Sequence, residues 1–191
     1  MSDWAKMSGW QSPDAKPRNV IKAAGYAVIL ASALSALLPA ANFDNGPLVV
    51  GGLMFIVGLL EIMANLLRAT GRKAATAAGL ASAGAGLLLF LQPTTSFVTT
   101  VFVLIGWLLV RGLLLALSAA EAAGSTRRAA LVAAIVDLIL AGMLWAGLTA
   151  STLVIALFGP TKPIVADFAW LLAISFVGAG LLLLKVANEQ T

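Results

Sequence analysis

Long apolar stretches recur along this sequence, and they restrict its fold more than any other feature. About 20 apolar residues in a helix cross the hydrocarbon core of a bilayer, and a helix satisfies its backbone hydrogen bonds internally. We therefore predict an all-α, polytopic membrane protein with six transmembrane helices. The predicted spans are residues 20–41, 46–67, 73–92, 95–118, 128–149 and 164–186.

The composition leaves little sequence for a water-soluble domain. Hydrophobic residues make up 61% of the chain and charged residues only 10%, against roughly 45–50% and about 25% in soluble domains. We predict one membrane domain over residues 20–186, with tails at residues 1–19 and 187–191. The first tail is polar and lacks the apolar core of a signal peptide, so we expect it on the cytoplasmic side.

Cysteine and histidine are both absent from the chain. The sequence therefore lacks thiolate ligands, the usual zinc ligand and the usual general base at neutral pH. Spacings of the GxG type lie within spans and follow no strand, so they do not indicate a phosphate-binding loop. We predict a non-enzymatic protein with no catalytic residues, no metal site and no cofactor.

Basic residues predict the orientation in the membrane. Apart from Arg111, all of them but Lys162 fall on one side, namely Lys6, Lys16, Arg18, Lys22, Arg68, Arg72, Lys73, Arg127, Arg128 and Lys185. The positive-inside rule then places both termini in the cytoplasm. The net charge of +4 indicates this topology and attraction to anionic lipid, and no domain is left to bind nucleic acid.

An internal repeat groups the six spans into three pseudo-repeated hairpins. Gly25 and Gly79 each stand fourteen residues before a proline, and Gly58 and Gly112 each follow that proline by nineteen residues. The third unit is looser, and Gly180 takes the last of these positions. Parallel copies of this kind predict three similar hairpins about an axis near the membrane normal.

The third hairpin departs from the other two. Gly142 stands at the position of Gly86, Thr149 replaces the proline, and about twelve extra residues fall around residues 153–165. We expect this insertion either to lengthen the fifth helix or to form a small cap on the outer side.

Several short motifs resemble a known family. LSALLP, LLLFLQP, IVGLLEIM, LVRGLLLAL and VGAGLLLL, spread over residues 20–186, resemble the HdeD-like membrane proteins, a domain of unknown function with three two-helix units. The resemblance implies a six-helix inner-membrane protein that takes part in acid or general stress resistance. It implies no catalytic residues, and the family offers no motif to transfer residue by residue.

Glycines within the spans are candidates for close helix packing. Lipid supplies little hydrophobic drive for helices to associate, so small residues let backbones approach. The candidates are Gly58, Gly79, Gly86, Gly112, Gly142 and Gly180. The third span is rich in small residues and is expected to be central, although such residues are also compatible with the lining of a cavity.

Three ionisable residues within the spans, Glu61, Arg111 and Asp137, form the candidate site. An isolated charge at the bilayer centre costs between about 2.5 and more than about 10 kcal/mol, so each needs a partner. Arg111 and Asp137 each stand thirteen residues from Gly124, where we expect a turn, so they should lie at equal depth and pair. Glu61 lies nearer the cytoplasm, and it either joins this pair or extends to the headgroups.

Two alternatives for these charges stay open. In the first, Arg111 alone extends to the cytoplasmic interface; in the second, Asp137 and Glu61 exchange protons as in a relay. Three functions follow: a non-enzymatic HdeD-like stress protein, a small transporter or proton pathway that uses the three residues, and an accessory subunit of a larger membrane complex. The expected partners are the lipid bilayer and either another membrane protein or a second copy of the chain.

Overall fold

The computed structural model of the protein describes residues 15–41, 46–92, 97–146 and 163–189. This part of the chain is all-α and contains six helices that are long and apolar enough to cross a membrane. They are α1 Ala15–Leu37, α2 Gly46–Leu66, α3 Arg72–Leu91, α4 Phe97–Glu121, α5 Gly124–Trp145 and α6 Pro163–Glu189, and a 3-10 turn, Leu38–Ala41, continues α1. The predicted fold class of a six-helix polytopic membrane protein is confirmed.

The predicted turn near Gly124 is present, since α4 ends at Glu121 and α5 begins at Gly124 with φ +58°. A positive φ is readily adopted by glycine, which has no Cβ. Residues 153–162 of the predicted insertion and most of the predicted first tail lie outside the described residues.

The helices close into a ring. The most extensive interfaces join α2 to α3, α4 to α5 and α6 to α1, while smaller interfaces join α1 to α2, α3 to α4 and α5 to α6. α6 also contacts α2 across the ring. Three equivalent hairpins about an axis would produce this alternation of large and small interfaces, but the three-hairpin arrangement itself stays a prediction.

The third helix is not central, contrary to the expectation from its small residues. α6 is the most buried of the six described spans, because it packs against α1, α2 and α5. α3 packs against α2 and α4 and leaves Leu80, Leu87 and Leu91 exposed. Its glycines Gly79 and Gly86 face α2, and Ser82 lies between α2 and α4.

Small residues bring α2 and α3 into backbone contact. A Cβ added to Gly58 would lie 2.3 Å from the backbone nitrogen of Ala83, and one added to Gly86 would lie 2.3 Å from that of Phe55. A Cβ on Gly79 would stand 3.0 Å from the backbone nitrogen of Ile62. The predicted packing role of these three glycines is confirmed, since a side chain at Gly58 or Gly86 would force the helices apart.

The other two large interfaces also contain a glycine of the repeat. Gly112 faces α5, where a Cβ would lie 3.2 Å from the carbonyl oxygen of Ala134. Gly180 faces α1, where a Cβ would lie 2.9 Å from the carbonyl oxygen of Gly25. Both predicted packing roles are confirmed.

The packing prediction is wrong for Gly142. This residue is exposed on α5, and no atom of the described residues lies within 4 Å of the position that its Cβ would take. Its neighbours Leu140, Ala141 and Leu144 face the core instead. The repeat alignment matched its position in the sequence, but this face of α5 points away from the ring.

Gly58 and Gly142 form a matched pair for testing this packing. We expect Gly58→Ala to lower the free energy of unfolding by about 1–3 kcal/mol because the added methyl overpacks the α2–α3 contact. Gly142→Ala should leave stability unchanged or raise it by up to about 1 kcal/mol, since alanine favours the helix. Denaturant unfolding in detergent micelles measures both, and equal losses in the two variants would contradict the packing described.

Candidate functional site: a buried charge cluster

Arg111 lies in the core of the ring and is 1% exposed, the largest fully buried side chain of the described residues. Its Nη1 stands 2.5 Å from Oδ2 of Asp137, and its Nη2 stands 2.7 Å from Oε1 of Glu61. The predicted pairing of Arg111 with Asp137 is confirmed. Glu61 joins the pair, so the alternative of an arginine that extends alone to the interface is wrong.

A serine on α6 completes the contacts around Asp137. Arg111 Nη1 donates a hydrogen bond of 2.7 Å to the hydroxyl of Ser175, which donates one of 2.7 Å to Oδ1 of Asp137. Both carboxylate oxygens of Asp137 therefore have short partners. Sequence reasoning missed Ser175, although a serine in an otherwise apolar span was the available signal.

The second oxygen of Glu61 has weaker support. The Ser82 hydroxyl on α3 lies 3.4 Å from Glu61 Oε2 and 3.2 Å from the carbonyl oxygen of Ala78. Because a hydroxyl has one hydrogen, it donates to one of these acceptors at a time. The same hydroxyl accepts a 3.0 Å hydrogen bond from Nε1 of Trp107.

Trp107 covers the guanidinium of Arg111, and Phe176 packs behind it. The Arg111 Cζ stands 5.8 Å from the centre of the Trp107 ring, within reach of a cation–π interaction. The Phe176 ring packs edge-on against Trp107, with centroids 6.3 Å apart. These rings exclude water from one side of the cluster.

The cluster is not balanced in charge. Glu61 and Asp137 supply two carboxylates and Arg111 one guanidinium, so the ionised cluster carries one surplus negative charge. A buried net charge is costly, so the site favours uptake of a proton or a cation. Within the described residues, no group of three or more metal-ligating side chains comes together.

A narrow cavity lies beside the cluster, on the side facing one end of the bundle. It has a volume of about 10 Å³ and is lined by Glu61, Asn65, Arg111, Leu115 and Leu183, among others. This volume holds about one water molecule. Asn65 and Leu115 lie one helical turn beyond Glu61 and Arg111, so the cavity extends toward the loops that follow α2 and α4.

A larger cavity lies at that end of the bundle. It has a volume of about 390 Å³, and its lining includes Arg68, Thr70, Gly124, Thr126 and Glu189. The α2–α3 and α4–α5 turns meet the end of α6 there. We call this end of the bundle the basic end and the cavity the basic-end cavity. One helical turn of α6 separates its lining from that of the narrow cavity.

Apolar side chains fill most of the opposite half of the bundle. Phe168, Leu172 and Phe176 of α6 have no exposed surface, and Met54 and Leu108 are equally buried. The buried hydroxyl of Ser32 in this half donates to the carbonyl oxygen of Ala173 at 2.7 Å. The polar approach to the cluster therefore runs from the basic end.

The chain was compared with family models, curated proteins and solved structures, and none of them matches. The expected relation to the HdeD-like proteins therefore rests on the quoted motifs alone.

Variants that change the charge of the cluster in opposite directions test its role in stability. We expect Arg111→Gln to lower the free energy of unfolding by roughly 3–5 kcal/mol, since it leaves two buried carboxylates without a cation. Glu61→Gln should cost far less, because the Arg111–Asp137 pair stays intact and the surplus charge is removed. The yield of monodisperse protein and its unfolding temperature in detergent measure both effects.

Removal of the whole cluster provides the control. The double variant Arg111→Leu/Asp137→Leu still buries Glu61 without a partner, so it should remain unstable. The triple variant, which adds Glu61→Leu, should recover folded protein relative to Arg111→Leu alone. Equal yields from Arg111→Gln and Glu61→Gln would show that the charge balance does not govern stability.

Proposed function

We propose that this chain is a non-enzymatic, multi-pass protein of the bacterial inner membrane that responds to acidification of the cytoplasm. The observation that carries the proposal is the surplus carboxylate in a buried cluster with a polar approach from the basic end. A proton from that end neutralises the surplus charge. The resemblance to HdeD-like proteins implies the same physiological role, protection under acid stress.

We assign uptake of the proton to Glu61. Both oxygens of Asp137 have partners at 2.7 Å or less, whereas Glu61 Oε2 has only the 3.4 Å contact with Ser82 among the described residues. Glu61 also lines the narrow cavity. The other charged groups of the described cluster are Arg111 on α4 and Asp137 on α5, while α3 and α6 contribute the neutral Ser82 and Ser175.

Protonation of Glu61 has a structural consequence. The neutral acid no longer forms an ion pair with Arg111, and the attraction between α2 and α4 across the ring weakens. Arg111 remains paired with Asp137, so the core keeps a balanced charge. The cluster thus provides two states that differ in how firmly α2 is held, and proton binding selects between them.

The distribution of basic residues supports a cytoplasmic location for the basic end. Arg72, Lys73, Arg127 and Arg128 stand at the starts of α3 and α5, which begin at this end. Lys185 lies near the end of α6 at the same end. By the positive-inside rule, both termini and the basic-end cavity then face the cytoplasm.

Survival after a shift to acid tests the role in the cell. In a strain that lacks the protein, wild type should restore survival, and Glu61→Gln should not, because its cluster is already neutral and has no proton to gain. Gly106→Ala serves as the matched control, since no described atom lies within 4 Å of its Cβ position. Equal protection by wild type and by equally abundant Glu61→Gln would exclude the proton-binding role.

A small proton or solute transporter is the second candidate function, favoured by the two cavities that approach the cluster from the basic end. For a sensor, we expect that vesicles with wild-type protein hold an imposed pH gradient as long as protein-free vesicles do, because apolar side chains fill most of the opposite half of the bundle. A pH-sensitive dye trapped inside the vesicles reports the gradient. A faster decay that Glu61→Gln abolishes would favour transport over sensing.

A further inference from the structure

Arg68 is a buried guanidinium whose hydrogen-bonding capacity is mostly unused. It lies in the turn after α2 and is 3% exposed. Its Nη1 donates a hydrogen bond of 3.3 Å to Oδ1 of Asn65, while Nε and Nη2 have no partner among the described residues. Burial lowers the pKa of the Arg68 guanidinium to about 10, so the group remains charged at neutral pH.

The turn that carries Arg68 is held firmly by its neighbours. Gly71 adopts φ +61°, and a Cβ there would lie 2.6 Å from the hydroxyl of Ser118 on α4. That hydroxyl donates a 3.2 Å hydrogen bond to the Gly71 carbonyl oxygen, and Asn65 Nδ2 donates one of 2.9 Å to the carbonyl oxygen of Ala75. The turn therefore positions Arg68 by fixed contacts with α3 and α4.

A second buried polar group without a partner shares the cavity with Arg68. The Thr126 residue is 5% exposed, and its hydroxyl has no hydrogen-bond partner among the described residues. Both Thr126 and Arg68 line the basic-end cavity of about 390 Å³. Buried polar groups in folded proteins are almost always satisfied, so two such groups in one cavity indicate a bound molecule.

The charges around the cavity favour an anion. Glu189 also lines it, but Oε1 of Glu189 accepts hydrogen bonds of 2.8 and 3.1 Å from the backbone nitrogens of Ser125 and Thr126. The partial positive charge at the N-terminus of α5 therefore balances the charge of this carboxylate. Arg68 has no carboxylate within 4 Å among the described residues, and its charge needs an external counterion.

We propose that the basic-end cavity binds a small, water-soluble phosphate compound. The Nε and Nη2 atoms lie on one edge of the Arg68 guanidinium and form a fork that fits two oxygens of a phosphate group. The Thr126 hydroxyl supplies a further donor, and a tetrahedral phosphate has a third oxygen for it, unlike a planar carboxylate. The cavity volume lies within the range of small-molecule sites.

The position of the cavity favours a soluble phosphate over a lipid headgroup. Its walls come from the α2–α3 turn, the α4–α5 turn and the end of α6. These elements meet at the end of the bundle rather than on its lipid-facing side. This site is separate from the Glu61–Arg111–Asp137 cluster, and the proposal does not depend on the acid-response function.

Titration with inorganic phosphate tests the proposal on the full-length protein in nanodiscs of zwitterionic phosphatidylcholine. At constant ionic strength, phosphate should raise the unfolding temperature of wild type until the site is saturated, and acetate should have a much smaller effect. Arg68→Gln should bind phosphate at least about tenfold more weakly, a loss of about 1.4 kcal/mol. Arg127→Gln is the matched control, since Arg127 is exposed and does not line the cavity.

The unfolding temperature of Arg68→Gln without phosphate distinguishes a ligand-binding role of Arg68 from a structural one. Because Arg68 is buried without a counterion, Arg68→Gln should keep or raise the unfolding temperature in phosphate-free buffer, whereas loss of a structural arginine would lower it. If Arg68→Gln does not fold, Thr126→Val decides the question. Unchanged phosphate affinity in Thr126→Val would then overturn the proposal.

Two further outcomes would overturn it. Equal stabilisation of wild type and Arg68→Gln by phosphate would indicate a non-specific salt effect. If phosphate has no effect but nanodiscs with phosphatidylglycerol stabilise wild type and not Arg68→Gln, the ligand is a lipid headgroup and the soluble compound is excluded. None of these variants alters the charge cluster, so failure here is distinguishable from failure of the acid-response proposal.

Discussion

The burial of the Arg111 guanidinium is the constraint on which the rest of the bundle depends. An unpaired charge at this depth costs between about 2.5 and more than about 10 kcal/mol, so the surrounding helices must bring acceptors to it. Glu61, Asp137 and Ser175 do so from α2, α5 and α6 at distances of 2.5–2.7 Å. These contacts fix the relative depth of four helices, which apolar packing alone would leave free to slide.

Close packing by glycine makes this convergence possible. Glu61 follows Gly58 by one helical turn on α2, and Gly58 lies against the backbone of Ala83 on α3. Ser82 is therefore held beside Glu61 by the same contact that holds the two helices together. Lipid provides little hydrophobic drive for association, so small residues and polar contacts share the task of closing the ring.

Hydropathy and turn geometry account for what could be predicted. The helices follow from apolar length, and the Arg111–Asp137 contact follows from equal distances to Gly124, because antiparallel helices through a short turn keep equal depth. Ser175 was missed, since a serine in an apolar span looks alike whether it faces lipid or a charge. Gly142 was misjudged because a repeat aligns positions but does not specify which face points inward. In the sequence, Arg68 indicates only the topology, since its burial depends on how three chain segments meet.

The polar groups of α2 connect the two sites that we propose. Glu61, Asn65 and Arg68 follow one another at spacings of four and three residues, so they lie along one face of the helix and its turn. Asn65 lines the narrow cavity beside Glu61 and accepts a hydrogen bond from Arg68. An anion at Arg68 would cancel the positive charge nearest to Glu61 on this face and make proton binding there more favourable. By linkage, a proton on Glu61 would then strengthen anion binding by the same factor.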